Sequence, residues 1–206
     1  MAKTIVLDFD DFSVANPKMA HLLTLKQFYP NLKVSLFTIP YDIEYESQIN
    51  YRRREFNLKK IRQNLDWIEI IPHGLVHTHR EMEYTGYGSM KKFIMPQIDR
   101  CFKRDGLPYV KGFKAPQWKW SPSVVKALDD GGWFGASNKN EPDMLQTKKC
   151  YVYTHNLDQL WWESESDFLG LHGHITNEMQ DSLERCYNNL LKIPKDAKFK
   201  FISEVI

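Results

Sequence analysis

Short apolar runs alternate along this chain with longer amphipathic stretches. Thr4–Phe9 is a run of apolar residues ending in acids and predicts a buried strand. Further strands are predicted over Lys33–Ile39, Trp67–Ile71, Val110–Lys114, Trp133–Ser137, Cys150–Thr154, Phe168–His174 and Phe199–Ile202. Asn16-Pro17 places a capping residue before a proline and predicts a helix running to about Tyr29. Gln48–Asn64 predicts a charged helix with Arg52, Arg53 and Arg54 on a solvated face, and Ser89–Lys103 a helix kinked at Pro96. Ser121-Pro122 opens another helix, which Gly131-Gly132 ends. Asn177 is expected to cap a last helix carrying Met179, Leu183, Cys186 and Leu190 on one stripe. Alternation of this kind argues for α/β architecture with mostly parallel strands, whose functional groups gather at the C-terminal strand ends.

Composition narrows the class. The 206 residues suffice for one large domain, and no repeat or low-complexity linker divides them, so residues 1–206 are expected to form a single domain. Hydrophobic residues are 42% and charged residues 26%, as in an ordinary globular protein. No apolar run is long enough for a membrane span. Lys plus Arg is 28 against 26 for Asp plus Glu, which gives no footprint for nucleic acid. The three cysteines form no CxxC pair, and the N-terminus has no secretion signal, so a reducing, cytoplasmic location is expected.

Three strand ends are unusually polar. At Asp8-Phe9-Asp10-Asp11 three carboxylates repel one another unless a metal ion or a basic group sits among them. At Pro72-His73-Gly74-Leu75-Val76-His77-Thr78-His79, a helical turn places His73 and His77 on one face, at metal-ligand spacing. At Leu171-His172-Gly173-His174, strand alternation puts both histidines on one side, where an imidazole suits a general acid, and the glycines keep the wall open. A fourth segment, Lys114-Ala115-Pro116-Gln117-Trp118, ends a strand with a cation, a rigid proline and an aromatic. Lys114 is placed to offset the acids, and Trp118 and Trp120 to form a stacking wall for a sugar ring. The competing assignments are a solvated acidic turn, a polar strand edge and core tryptophans.

Taken in order, these motifs resemble the NodB-type polysaccharide deacetylases, the carbohydrate esterase family 4 group, over about residues 4–176. The family's Thr-Phe-Asp-Asp strand end is matched by Asp8-Phe9-Asp10-Asp11, its His-Ser/Thr-x-x-His by His73 to His77, its Arg-x-x-Pro loosely by Lys114-Ala115-Pro116, and its Leu-x-His by Leu171-His172. The resemblance implies a distorted (β/α) barrel of about seven mostly parallel strands. It also implies a base in Asp10, metal ligands in Asp11, His73 and His77, and a general acid in His172 with His174 as a close rival. Lys114 would stand beside the base, and Pro116, Trp118 and Trp120 would line the substrate. The implied cofactor is Zn²⁺ or another divalent metal, and the implied partner is a carbohydrate or N-acetylated small molecule. The implied reaction removes an acetyl or similar acyl group from an amide.

Four departures mark a divergent branch. Asp8 replaces Thr, adding a charge expected to alter metal affinity or supply a ligand. Gly74 replaces Ser or Thr, Lys114 replaces Arg and loses its planar fork, and Gly173 replaces Asp. Two alternative functions compete. One is a haloacid-dehalogenase-type phosphatase using Asp8 and Asp10, with Thr38, Lys114, Asp129 and Asp130. The other is a carbohydrate-binding member of the same fold without catalysis.

Overall fold

The computed structural model of the chain describes residues 2–14, 17–41, 48–138, 147–176 and 178–206. Among the described residues there are nine strands: β1 (Thr4–Phe12), β2 (Val34–Thr38), β3 (Ile68–Pro72), β4 (Gly112–Phe113), β5 (Phe134–Ser137), β6 (Cys150–Val152), β7 (His155–Asn156), β8 (Phe168–His174) and β9 (Lys198–Lys200). Six α-helices accompany them among the described residues: α1 (Met19–Phe28), α2 (Gln48–Arg62), α3 (Tyr87–Ser89), α4 (Met95–Asp105), α5 (Pro122–Asp130) and α6 (Tyr187–Leu190).

Every strand pair is parallel. One sheet has the order β3-β2-β1-β8-β7, with β9 beside the start of β1, and the other has β4-β5-β6. The strands thus divide into two sheets, and among the described residues no continuous ladder closes the expected barrel. β3 meets β4 through the single bridge His73–Lys114. The stretch from β6 to β7 passes from one sheet to the other.

Alternation along β1 positions the site. Ile5, Leu7 and Phe9 pack into the large core with the helices, whereas Val6 joins a second cluster with Phe37, Ile71, Phe134, Ala136 and Tyr151. Successive side chains point to opposite faces, so Asp8 and Asp10 share the face of Val6. β1 is central and flanked on both sides, so these carboxylates are buried, at 0% and 3% exposure. Burial without water demands charged or hydrogen-bonding partners.

Several expectations change here. The helix expected from Asn177 is only α6, four residues long. Residues 178–186 instead give backbone hydrogen bonds to the end of β8: His174 N donates to Asp181 O and Leu183 N to His174 O. Leu183, Cys186 and Leu190 are buried, whereas Met179 is exposed. The cap itself, Asn177, and the cap at Asn16 lie outside the described residues. Arg54 leaves the solvated face of α2 to pair with the buried Asp105 of α4. The interruption expected at Pro96 is a π-helical turn, Met90–Ile94, just before α4. Proline lacks an N–H and crowds the preceding turn, and a widened turn relieves both. α5 opens as expected, with Ser121 Oγ accepting from Val124 N at 3.3 Å.

Candidate metal and active site

The C-terminal ends of β1, β3 and β8 bring two groups of side chains together. In the first, Asp11 Oδ1 lies 3.0 Å from His77 Nε2 and 3.5 Å from His73 Nε2. The two imidazole centroids are 4.7 Å apart. They do not meet on a helical turn. His73 directly follows β3, and the chain then turns sharply with Gly74 at φ 63° and His77 at φ 62°. Glu81 holds this loop, its carboxylate accepting from the N–H groups of Leu75, Val76 and His77 at 3.0, 3.1 and 3.0 Å. Gly74 has a steric reason: a Cβ there would stand 2.7 Å from Pro116 Cγ and 2.6 Å from Glu81 Oε2. Asp11 is also left-handed, at φ 60°. Such backbone costs of order 1–3 kcal/mol per residue and clusters at functional sites.

This trio fits a divalent cation. His73 Nδ1 lies 3.0 Å from the Lys114 carbonyl, which can only accept, so Nδ1 carries the proton. The Nε2 lone pair then faces Asp11, an acceptor opposed to an acceptor unless a cation or proton intervenes. Burial pushes the Asp11 carboxyl up, but the hydrogen bonds and charges of His73 and His77 outweigh it and hold its pKa well below the usual carboxylate range. Burial lowers His77, but Asp11, Asp10 and Glu81 together raise it. One carboxylate and two imidazole nitrogens form a donor set suited to Zn²⁺ with positions left open.

The second group surrounds Asp10. Lys114 Nζ, 1% exposed, lies 2.7 Å from Asp10 Oδ1 and 3.8 Å from Asp8 Oδ1. His172 Nδ1 lies 2.6 Å from Asp8 Oδ1, and Tyr151 donates its hydroxyl to Asp8 Oδ2 at 3.2 Å. Asp8 is therefore not among the groups around Asp11, so of the two expectations for it, an altered metal affinity or a further ligand, the ligand is not the one this geometry supports. Burial, partly offset by Lys114 and Tyr151, raises its pKa to about 6. His172 Nε2 is 3.8 Å from Asp10 Oδ2. Burial and the neighbouring Lys114 charge push His172 well below its ordinary pKa. His174 differs: its Nδ1 is 2.8 Å from Asp181 Oδ1, and that bond, with Asp10, outweighs burial and raises its pKa. The wall at Gly173 is filled rather than open, since a Cβ there would stand 2.6 Å from Asp181 O.

The aromatic wall is only partly the one expected. Trp118 has its ring centroid 5.5 Å from both Tyr153 and His172, with Lys114 Nζ 4.0 Å over its face. Tyr153 stacks on His172 at 4.5 Å. Trp120 instead packs on Phe113, 6.1 Å between centroids, against the main core. Pro116 is buried against Gly74. His79 is exposed and outside both groups. The acids a phosphatase would need are elsewhere: Asp129 accepts from Lys148 N, and Asp130 pairs with Lys126 and Tyr87. Thr38 spends its hydroxyl on Leu36 O. Glu81, Tyr151, Tyr153 and Asp181 carry no motif that sequence reading can find.

No protein-family model matches the sequence, and no curated protein does. Solved structures do. An acetyl xylan esterase of family 4 from Clostridium thermocellum, in complex with a cobalt ion, superposes with a TM-score of 0.64 at 17% identity, over 98% of this chain and 89% of that one. A chitin deacetylase from Colletotrichum lindemuthianum gives 0.64 at 12% identity, over 99% and 89%. The fold is that of carbohydrate esterase family 4. A pseudoenzyme of the same family from Bacillus anthracis gives 0.62 at 15% identity, and the chain spans 65% of its length. The family 4 fold therefore carries both active esterases and inactive relatives. No described helix is long and apolar enough to cross a membrane.

Proposed function

We propose that this chain is a metal-dependent hydrolase removing an acetyl or similar acyl group from an N-acetylated sugar or polysaccharide. The observation that carries the reading is the meeting of Asp11, His73 and His77 beside Asp10, Lys114 and His172 at the strand ends of a family 4 fold. Asp11, His73 and His77 hold the divalent cation, Zn²⁺ by its donor set. When bound, that cation supplies Lewis acidity and acidifies a water at the site.

Asp10 accepts the proton of the water that attacks the acyl carbonyl. Lys114 pairs with Asp10 and fixes the orientation of its carboxylate. His172 protonates the leaving nitrogen, and its Nε2 faces Asp10 from the opposite wall. His174, anchored by Asp181 and only partly buried, is the second candidate donor. Trp118, backed by Tyr153 and with Pro116 beneath the loop, offers a flat apolar face to a sugar ring. The reacting amide nitrogen leaves as a free amine, and the acyl group leaves as a carboxylate.

The test is hydrolysis of a panel of N-acetylated sugars and oligosaccharides by the Zn²⁺-loaded protein, with and without chelator. Acetate release that chelator abolishes, and that Asp10→Asn loses while keeping bound metal, is the expected result. Full activity in excess chelator would overturn the scheme. A second reading, carbohydrate binding without turnover, is favoured by Lys114 bonding Asp10 so closely and by Trp118 and Tyr153 covering His172. It predicts sugar binding with no acetate released by any substrate.

A further inference from the structure

We infer that Asp8 is the positioning residue for His172, setting which ring nitrogen carries the proton. The inference rests on the reading of His172 as the proton donor, but its main observable does not. Asp8 and His172 are register partners on adjacent parallel strands, β1 and β8, so their side chains leave the sheet side by side on one face. Both are fully buried, at 0% and 1% exposure.

Two groups compete for His172 Nδ1. Asp8 Oδ1 is 2.6 Å away and can only accept when ionised, while Lys114 Nζ is 3.3 Å away and can only donate. They demand opposite tautomers. With Asp8 in place, the shorter contact, charge-assisted, puts the proton on Nδ1, and Lys114 is left to its ion pair with Asp10. Nε2 is then bare in the neutral ring, buried and without a hydrogen-bond partner among the described residues. That nitrogen lies 3.8 Å from Asp10 Oδ2, where it can gain a proton and deliver it. Tyr151, bonded to the other oxygen of Asp8, stops the carboxylate from rotating away. Without an acceptor at residue 8, Lys114 would take Nδ1 and drive the proton to Nε2. The neutral ring would then hold that proton too tightly to act as an acid.

The charge that departs from Thr at this position is thus used on the acid side of the site, three residues from Asp11. The experiment is ¹⁵N NMR of histidine-labelled full-length protein with Zn²⁺, reading the tautomer of His172 from its ring-nitrogen shifts. Wild type is expected to show a protonated Nδ1 and a bare Nε2, Asp8→Leu the reverse, and Asp8→Asn the wild-type pattern, because an amide oxygen still accepts. Asp8→Leu is also expected to lose on the order of 10²-fold in kcat with KM and bound metal unchanged. A wild-type ring protonated at Nε2 alone, or a Leu variant with the wild-type tautomer, overturns the assignment. If Asp8→Leu fails to fold, the wild-type and Asn spectra still decide it. Should the protein prove inactive on every acetylated substrate, the proposed function fails and the tautomer result stands by itself.

Discussion

Replacing Lys114 by Met removes the charge while keeping most of the stem. Lys114 Nζ lies over the rings of Phe37, Trp118 and Tyr153 at 4.5, 4.0 and 5.7 Å, so cation–π contacts go with the charge while the Met side chain keeps apolar packing there. Also lost is the partner of two buried carboxylates. Taking away one member of a buried pair costs roughly 3–5 kcal/mol, because the other charge stays unsolvated. Asp8 limits its share: its pKa is already about 6, so it escapes by binding a proton at little further cost. Asp10 then dominates, and the lower end, about 3 kcal/mol near neutral pH, is expected. For a chain of this size that corresponds to a fall of about 6–12 °C in Tm. The assay is thermal unfolding by circular dichroism in chelator, so that metal binding does not confound it. The deficit should shrink on acidification as Asp8, with its pKa of about 6, takes up a proton. A Tm within about 2 °C of wild type, or a deficit that grows on acidification, would refute the electrostatic role of Lys114.

Three further outcomes follow from the same geometry. Gly74→Ser, which restores the residue type of the resembling family, should destabilise by roughly 1–2 kcal/mol from the left-handed backbone alone, and further through Pro116, as read by urea unfolding. Glu81→Ala should weaken Zn²⁺ binding roughly 10–100-fold in a competition titration, because the loop bearing His77 loses its tether; unchanged affinity would remove Glu81 from that role. Asp8 has a folded pKa of about 6, raised from 3.8, so its ionised form disfavours the fold. Wild type should therefore lose stability relative to Asp8→Asn as pH rises through that window, by about 3 kcal/mol in full, and parallel stability curves would contradict this.

The strand ends were legible because strand chemistry is local. A continuous apolar run marks Thr4–Phe9 as a strand buried on both faces, and acids inside such a strand have to be matched by partners from elsewhere. The four-residue spacing of His73 and His77 is legible as a pair, but the turn between them is a strained loop rather than a helical turn, and what closes it is Glu81, whose carboxylate serves backbone groups that no sequence pattern marks. The helix after Asn177 failed for a related reason. Its apolar stripe is real at Leu183, Cys186 and Leu190, yet the backbone of Asp181 and Leu183 bonds β8 and cannot also close helical turns. Trp118 and Trp120 are two apart, but the left-handed backbone at Gln117 and Trp118 breaks the strand alternation, so one ring meets His172 and the other packs on Phe113.

The measurement closest to the central claim is anomalous diffraction at the zinc edge from crystals grown with Zn²⁺. The account predicts one strong peak within bonding distance of an Asp11 oxygen and the Nε2 atoms of His73 and His77. A peak among Asp10, His172 and His174 instead, or none at any strand end, would contradict it.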